Sequence, residues 1–144
     1  MKRAGLISQI QAVIFDNLFK KIKADKGNNL IVDNGYAKLL TMLSGTNNVG
    51  IDKIQAGTNG DDTFPTDQNI IDPVDIVITS RTVSNGKLTL EFQFGPDQGN
   101  GTTFCEFGII LKDGTLFSRR VWPAFAKIED LTINGTWEIK LFDV

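Results

Sequence analysis

The side chains that usually carry enzymatic chemistry are sparse in this sequence, and histidine is missing altogether. Without an imidazole there is no general base with an ordinary pKa near neutrality, no Ser–His or Cys–His pair, and no use of the most common metal ligand. The single cysteine, Cys105, excludes an intrachain disulfide and a cysteine-built zinc cage. It sits in an apolar run, where a free thiol behaves as a small hydrophobe. Carboxylates remain. Asp61, Asp62 and Asp67 gather around Gly60, Thr63 and Pro65 and could in principle hold calcium, but they lack the regular spacing, glycine and terminal glutamate of an EF-hand loop. A solvated turn is the simpler reading, and no pair of acids marks a glycosidase groove. Gly57-Thr58-Asn59-Gly60 resembles a phosphate-cradling loop only superficially, since no Gly-Lys-Ser/Thr opens a helix after it. The expectation is a protein that is not an enzyme and uses no cofactor or metal.

The other notable polar feature is Arg119-Arg120. On a strand, two neighbouring side chains point to opposite faces. Either one arginine is solvated and the other pairs with a carboxylate such as Glu106 across the sheet, or the two serve an intersubunit salt bridge. Trp122 and Trp137 are read most simply as core residues at sheet ends, while an aromatic at a strand terminus could instead anchor a neighbouring subunit.

The elements that must position these residues change character near residue 50. Before it, Leu6, Ile10, Ile14, Leu18 and Ile22 recur every four residues without Pro or Gly between them, and Phe15 and Phe19 flank the stripe. That spacing predicts an N-terminal helical arm over 1–26. Its apolar surface is wider than one core-facing stripe requires, so it either lies in a groove of its own domain or grips two neighbours at once. Gly27-Asn28-Asn29 ends it. Asp33-Asn34-Gly35 caps a second, short helix at about 34–44, with Tyr36, Leu39, Leu40 and Leu43 apolar and Gly45 as its stop.

From Ile51 onward the rhythm is two. Val74, Ile76 and Ile78 alternate with Asp75, Val77 and Thr79; Asn85-Gly86 marks a two-residue hairpin; Leu88, Leu90, Phe92 and Phe94 give one apolar face. Strands follow at 104–111, 116–122 and 131–142, with a hairpin at Asp113-Gly114 and Pro123 breaking the ladder. The expected fold is mainly β (α+β), an antiparallel β-sandwich over 27–144 with one or two N-terminal helices.

The 144 residues suit one domain, with 41% apolar and 22% charged residues. A net charge of −2 without a basic block argues against nucleic acid as a partner. No run reaches transmembrane length, and 6–15, with Ser8, Gln9 and Gln11, does not read as a signal peptide. The sequons at Asn100 and Asn134 matter only in a secretory setting.

In the second half the residues become less generic. Cys105-Glu106-Phe107-Gly108-Ile109-Ile110, then Lys112-Asp113-Gly114-Thr115-Leu116-Phe117-Ser118-Arg119, Phe125-Ala126-Lys127, and Leu131-Thr132-Ile133-Asn134-Gly135-Thr136-Trp137-Glu138-Ile139 resemble a pattern of tailed-bacteriophage structural proteins. Upstream, Asn34-Gly35 with Leu39-Leu40 and Ser44-Gly45, then 51–60 (Ile51-Asp52-Lys53-Ile54-Gln55-Ala56-Gly57-Thr58-Asn59-Gly60), is similar to the run that opens the same domain. The resemblance spans residues 34 to 140 and departs from the pattern at Ala56, Asn59 and Ile110. It implies the β-domain of a tail-fibre, tail-collar or related virion protein: a tail, baseplate or fibre component, or else a head decoration or capsid-attached protein. Such a protein would be made in the host cytoplasm and built into the virion. Its partners would be other virion proteins and copies of itself, as a trimer or hexamer, with no membrane role. Interface residues would be Leu6, Ile10, Ile14, Phe15, Phe19, Arg119, Arg120 and Trp122. A module binding host-surface carbohydrate through an exposed Trp122 is the reading from a different class.

Overall fold

The computed structural model describes residues 4–15, 21–46 and 49–143, with side chains described across 30–46 and 49–139. Among these residues the elements are β1 (Ala4–Phe15), β2 (Lys21–Ile31), α1 (Asp33–Leu43), β3 (Ile51–Gly57), β4 (Val74–Ile76), β5 (Ile78–Ser84), β6 (Lys87–Phe94), β7 (Thr103–Leu111), β8 (Leu116–Ala126) and β9 (Thr132–Asp143). The fold is mainly β, two antiparallel sheets with one short helix, as the alternating second half predicts. The strands hydrogen-bond in the order β4-β3-β7-β8-β2-β1-β9-β6-β5. β2 joins the sheets: along most of its length it pairs with β1, and at Leu30 and Ile31 it pairs with Arg119 and Ser118 of β8.

The strands at the two ends of this order, β4 and β5, are separated in the chain by Val77 alone, so the sheet curls until its edges nearly meet. Arg81 of β5 reaches across the seam and donates to the carbonyls of Ile51 and Asp52 of β3. Those edge carbonyls would otherwise be left to solvent.

The N-terminal helical arm is corrected. Residues 4–15 form strand β1, paired along its whole length with β9, and 21–31 form strand β2. A spacing of four is even, so it satisfies a period of two as well as a helical period and cannot choose between them. The β-branched residues Ile7, Ile10, Val13 and Ile14 favour the extended form, and twelve residues of β9 supply the partner that decides it. Pro123 interrupts the β7–β8 ladder as expected, but the strand does not end at Trp122. β8 runs on through the proline, and the β7–β8 register shifts opposite it, between Phe104 and Glu106, which accommodates the missing N–H as a bulge. The Asn85-Gly86 hairpin forms as read, with φ of 53° and 72°, both positive as a type I′ turn needs.

The core lies between the sheets. Phe107 of β7 meets Trp122 edge-on at 5.8 Å and stacks with Phe125 at 6.2 Å, while Leu90, Phe92 and Phe94 of β6 and Trp137 of β9 close the other side. Each such buried side chain contributes about 1.5–3 kcal/mol, so packing can hold the domain without a crosslink. A smaller cluster, Val32, Ile70, Ile110 and Leu116, sits apart from this core and is formed where the segment between β3 and β4 and the start of α1 meet β7 and β8.

α1 matches the predicted second helix, and Gly45 follows its end at φ 76°. It is seated on β8 by Gly35, where an added Cβ would lie 2.3 Å from the Phe117 carbonyl oxygen. Lys38 reaches Asp113 of the β7–β8 turn at 2.9 Å. Hydrogen bonds from Lys38 and from the Thr115 hydroxyl and N–H hold the Asp113 carboxyl down at about 2.

Gly35→Ala should lift α1 from β8 and cost about 1–3 kcal/mol, read as a lower urea midpoint with an unchanged slope. Because Asp113 has a depressed folded pKa, its contribution is complete above the unfolded-chain value near 4 and is lost as pH falls toward 2. The stability gap between the wild type and Asp113→Asn should therefore be constant at neutral pH and close over that acid window. It should be small, since the pair is partly solvated.

Candidate functional site

The densest polar arrangement lies where the segment between Gly57 and Val74 covers β7 and β8. At its base Arg119, 1% exposed, donates Nε to Glu106 Oε2 at 2.6 Å, and Glu106 is itself fully buried. Nη1 donates to Asp67 Oδ2 at 2.9 Å and to the Asp62 carbonyl at 3.3 Å; Nη2 donates to the carbonyls of Asn59 at 2.9 Å and Asp61 at 3.0 Å. All five guanidinium N–H groups thus have acceptors, a fork geometry that a lysine cannot reproduce. The second carboxylate oxygen, Glu106 Oε1, accepts the N–H of Asn59 at 3.2 Å and of Ile71 at 2.8 Å, tying both ends of the segment to one point. Burial disfavours the charged guanidinium, but the hydrogen bonds and charges of Glu106 and Asp67 outweigh it and raise the Arg119 pKa.

The sequence around the network allows this close approach. Gly57 ends β3 where an added Cβ would fall 2.5 Å from Glu106 Oε1 and 2.4 Å from Ile70 Cγ2. Cys105 Sγ donates to the Thr58 carbonyl at 3.0 Å, and burial, then the charge of Glu106, pushes its thiol pKa up. Asp67 accepts the Phe64 N–H at 3.0 Å and closes the turn Phe64-Pro65-Thr66-Asp67, whose Pro65 carbonyl accepts the Asp33 N–H at 2.8 Å. The turn is therefore fixed to the start of α1 as well as to Arg119.

A second cation fastens the loop between β6 and β7. Lys127, fully buried, donates Nζ to Asn100 Oδ1 at 3.0 Å and to the Ile128 carbonyl at 3.2 Å, over the Phe94 ring at 5.2 Å. Its backbone exchanges hydrogen bonds with Gly101 and Thr102. Burial lowers its pKa, partly opposed by the charge of Asp97.

Of the residues singled out from sequence, Glu106 and Arg119 are brought together as one of the two readings required. Arg119 is corrected as an interface residue: its donors are all engaged within the chain, so it has none to offer a neighbour. Trp122 is corrected too, because at 2% exposure it is a core residue and presents no sugar platform. Arg120 is half-buried, its guanidinium carbon 5.3 Å from the Trp122 ring centroid. The backbones of Leu6, Ile10, Ile14 and Phe15 belong to β1, while their side chains, and Phe19 entirely, lie outside the described residues. Asp61 and Asp62 contribute carbonyls rather than carboxylates to the network, and among the described residues no group of three His, Cys, Asp or Glu could hold a metal ion. The convergence of backbone carbonyls on Arg119 was invisible in the sequence, because carbonyls carry no residue-type signal. The clamp made by Lys127 had only its place in the quoted motif to point to it.

Two concavities are notable, one beside the Arg119 clamp and one away from both clamps. A shallow one of about 470 Å³ is lined by Leu30, Asp62, Thr63, Phe64, Arg119, Arg120 and Val121. An apolar one of about 280 Å³ opens beneath α1 between the sheets, with Leu39, Met42, Leu90 and Phe117 in its walls and Arg81 beside them. No protein-family model, curated protein or solved structure matches the chain.

Removing one partner of a buried ion pair leaves the other charge uncompensated, at a cost of about 3–5 kcal/mol. Arg119→Met and Glu106→Gln should each lower stability by that order in urea titrations. In Glu106→Gln, hydrogen exchange at the Asn59 and Ile71 amides should accelerate more than exchange in β6 and β9. Uniform acceleration would show that the pair does not act on the covering segment in particular.

Proposed function

We propose that this chain is a structural component of a bacteriophage particle, a tail, baseplate or fibre protein that works by assembling with copies of itself and with other virion proteins. One observation carries this reading: several of the residues on which the resemblance rests do mechanical work in the fold. Gly57, Glu106 and Arg119 fasten the segment over β7 and β8, and Lys127 fastens the loop before β7. Residues that fasten loops suit a protein whose product is a rigid shape. Small rigid bodies repeated by symmetry are what a particle is built from. The apolar residues left at the surface, among them Leu40, Leu43, Phe64 and Val83, agree with a chain that presents contact surfaces rather than a fully polar exterior.

A labelled copy supplied during infection should be incorporated into particles and be seen by electron microscopy on the tail or its appendages. The purified full chain should form larger species as its concentration rises in sedimentation velocity runs. Label on the head would move the protein to a decoration role. Absence from particles, with a monomer at every concentration, would overturn the reading.

A further inference from the structure

We infer that Asn85, at the tip of the β5–β6 hairpin, is a self-modification site: the folded chain loses ammonia there, in preference to its other Asn-Gly pairs, and an isoaspartyl link forms. The inference is independent of assembly into a particle.

An asparagine followed by glycine is labile because glycine has no side chain to obstruct attack by its own nitrogen. Base removes the proton from the Gly86 backbone nitrogen, and that nitrogen bonds to Asn85 Cγ. The Cγ–Nδ2 bond then breaks, and Nδ2 leaves as ammonia with a proton from solvent. A cyclic succinimide remains. Water opens the ring at either carbonyl. Opening at Cγ leaves an ordinary aspartate, while opening at the main-chain carbonyl routes the backbone through Cβ and Cγ. Solvent water is the co-reactant, and nothing is oxidised or reduced.

The sequence offers five such pairs, at Asn34, Asn59, Asn85, Asn100 and Asn134, and the structure separates them. Asn34-Gly35 lies in the first turn of α1, where Gly35 is wedged against the Phe117 carbonyl. Asn59 is held on three sides: Glu106 accepts its N–H, Arg119 donates to its carbonyl, and its Oδ1 accepts the Asp61 N–H at 2.9 Å. Asn100 has both ends of its carboxamide engaged, Oδ1 by Lys127 and Nδ2 by the Pro96 carbonyl at 2.8 Å. The Gly101 N–H, which would have to attack, donates to the Lys127 carbonyl. Asn134 lies in β9 between β1 and β6, its Oδ1 accepts from Gln93 at 2.9 Å, and Gly135 is covered by the Phe92 ring.

Asn85 has none of these restraints. Among the described residues no hydrogen bond holds its carboxamide, residues 81–86 are all exposed, and a Cβ added at Gly86 would meet nothing within 4 Å. The type I′ turn must open for the nitrogen to reach Cγ. That opening is cheap, because β5 stands at the end of the strand order and pairs with β6 alone, so only the Ser84–Lys87 end of one ladder has to fray. The product changes the hairpin. A new carboxylate adds to a net charge of −2, and the isoaspartyl form lengthens the backbone of a turn that relies on φ of 53° and 72°. The pairs Ser84–Lys87 and Val83–Leu88 are the first to separate.

The test uses the full folded chain, incubated at mildly alkaline pH and read by peptide mapping with mass spectrometry. The peptide carrying Asn85 should gain acid and isoaspartyl forms about tenfold or more faster than those carrying the other pairs, since opening a hairpin tip costs less than opening a clamped segment. In urea, where the restraints are gone, the rates should converge. Asn85→Gly, which suits the same turn, should remove the early product. Glu106→Gln should speed conversion at Asn59 and leave Asn85 as it was. An Asn59 or Asn100 peptide that converts as fast as Asn85 in the folded chain would overturn the inference. So would a hierarchy of rates that persists unchanged in urea, because it would then come from the sequence and not from the fold.

Discussion

The buried pair between Arg119 and Glu106 is the constraint on which the exterior of one sheet depends. Neither charge is tolerable alone in that position, and each is there because the other is. Together they leave donors and acceptors over, and the surplus is taken up by one stretch of chain: three carbonyls and the Asp67 carboxylate on the arginine, two N–H groups on the glutamate. A segment without secondary structure of its own is in this way given a single conformation. β7 is covered on both faces as a result, which accounts for its nearly unbroken burial despite lying in an antiparallel sheet.

The same device recurs at Lys127, with a ring replacing the carboxylate as counterpart. Phe94 supplies a polarisable surface for the ammonium, and Asn100 and Ile128 supply the acceptors. Both clamps consist of a cation on or just after β8 that holds a loop on neighbouring strands. A chain with no intrachain disulfide thereby has two of its loops fixed by side-chain clamps.

Much of the second half was legible locally. Asn85-Gly86, Gly45 and the alternation of 88–94 encode their structures through backbone preferences and a period of two, which act over a few residues. The first thirty residues were not legible in this way. Leu6, Ile10 and Ile14 stand at a spacing common to helix and strand, so the decision passed to β9, more than a hundred residues away. Pro123 marked the break in the ladder but not the end of the strand, because β8 bulges there and pairs again beyond it. Arg119 was half-readable, since a carboxylate partner on the next strand could be named, but the loop carbonyls that make it a clamp could not.

Composition and short-range chemistry alone determined that the chain would be a β-rich body without histidine chemistry or a crosslink, with its hairpins at Asn85-Gly86 and Asp113-Gly114. These follow from residue types and nearest neighbours. Only the tertiary structure decided that β1 is a strand, that Trp122 is interior, that Arg119 is turned inward, and that α1 shows its apolar side to solvent. Each of these is a choice between faces or partners, and such a choice is made by what the distant chain brings alongside.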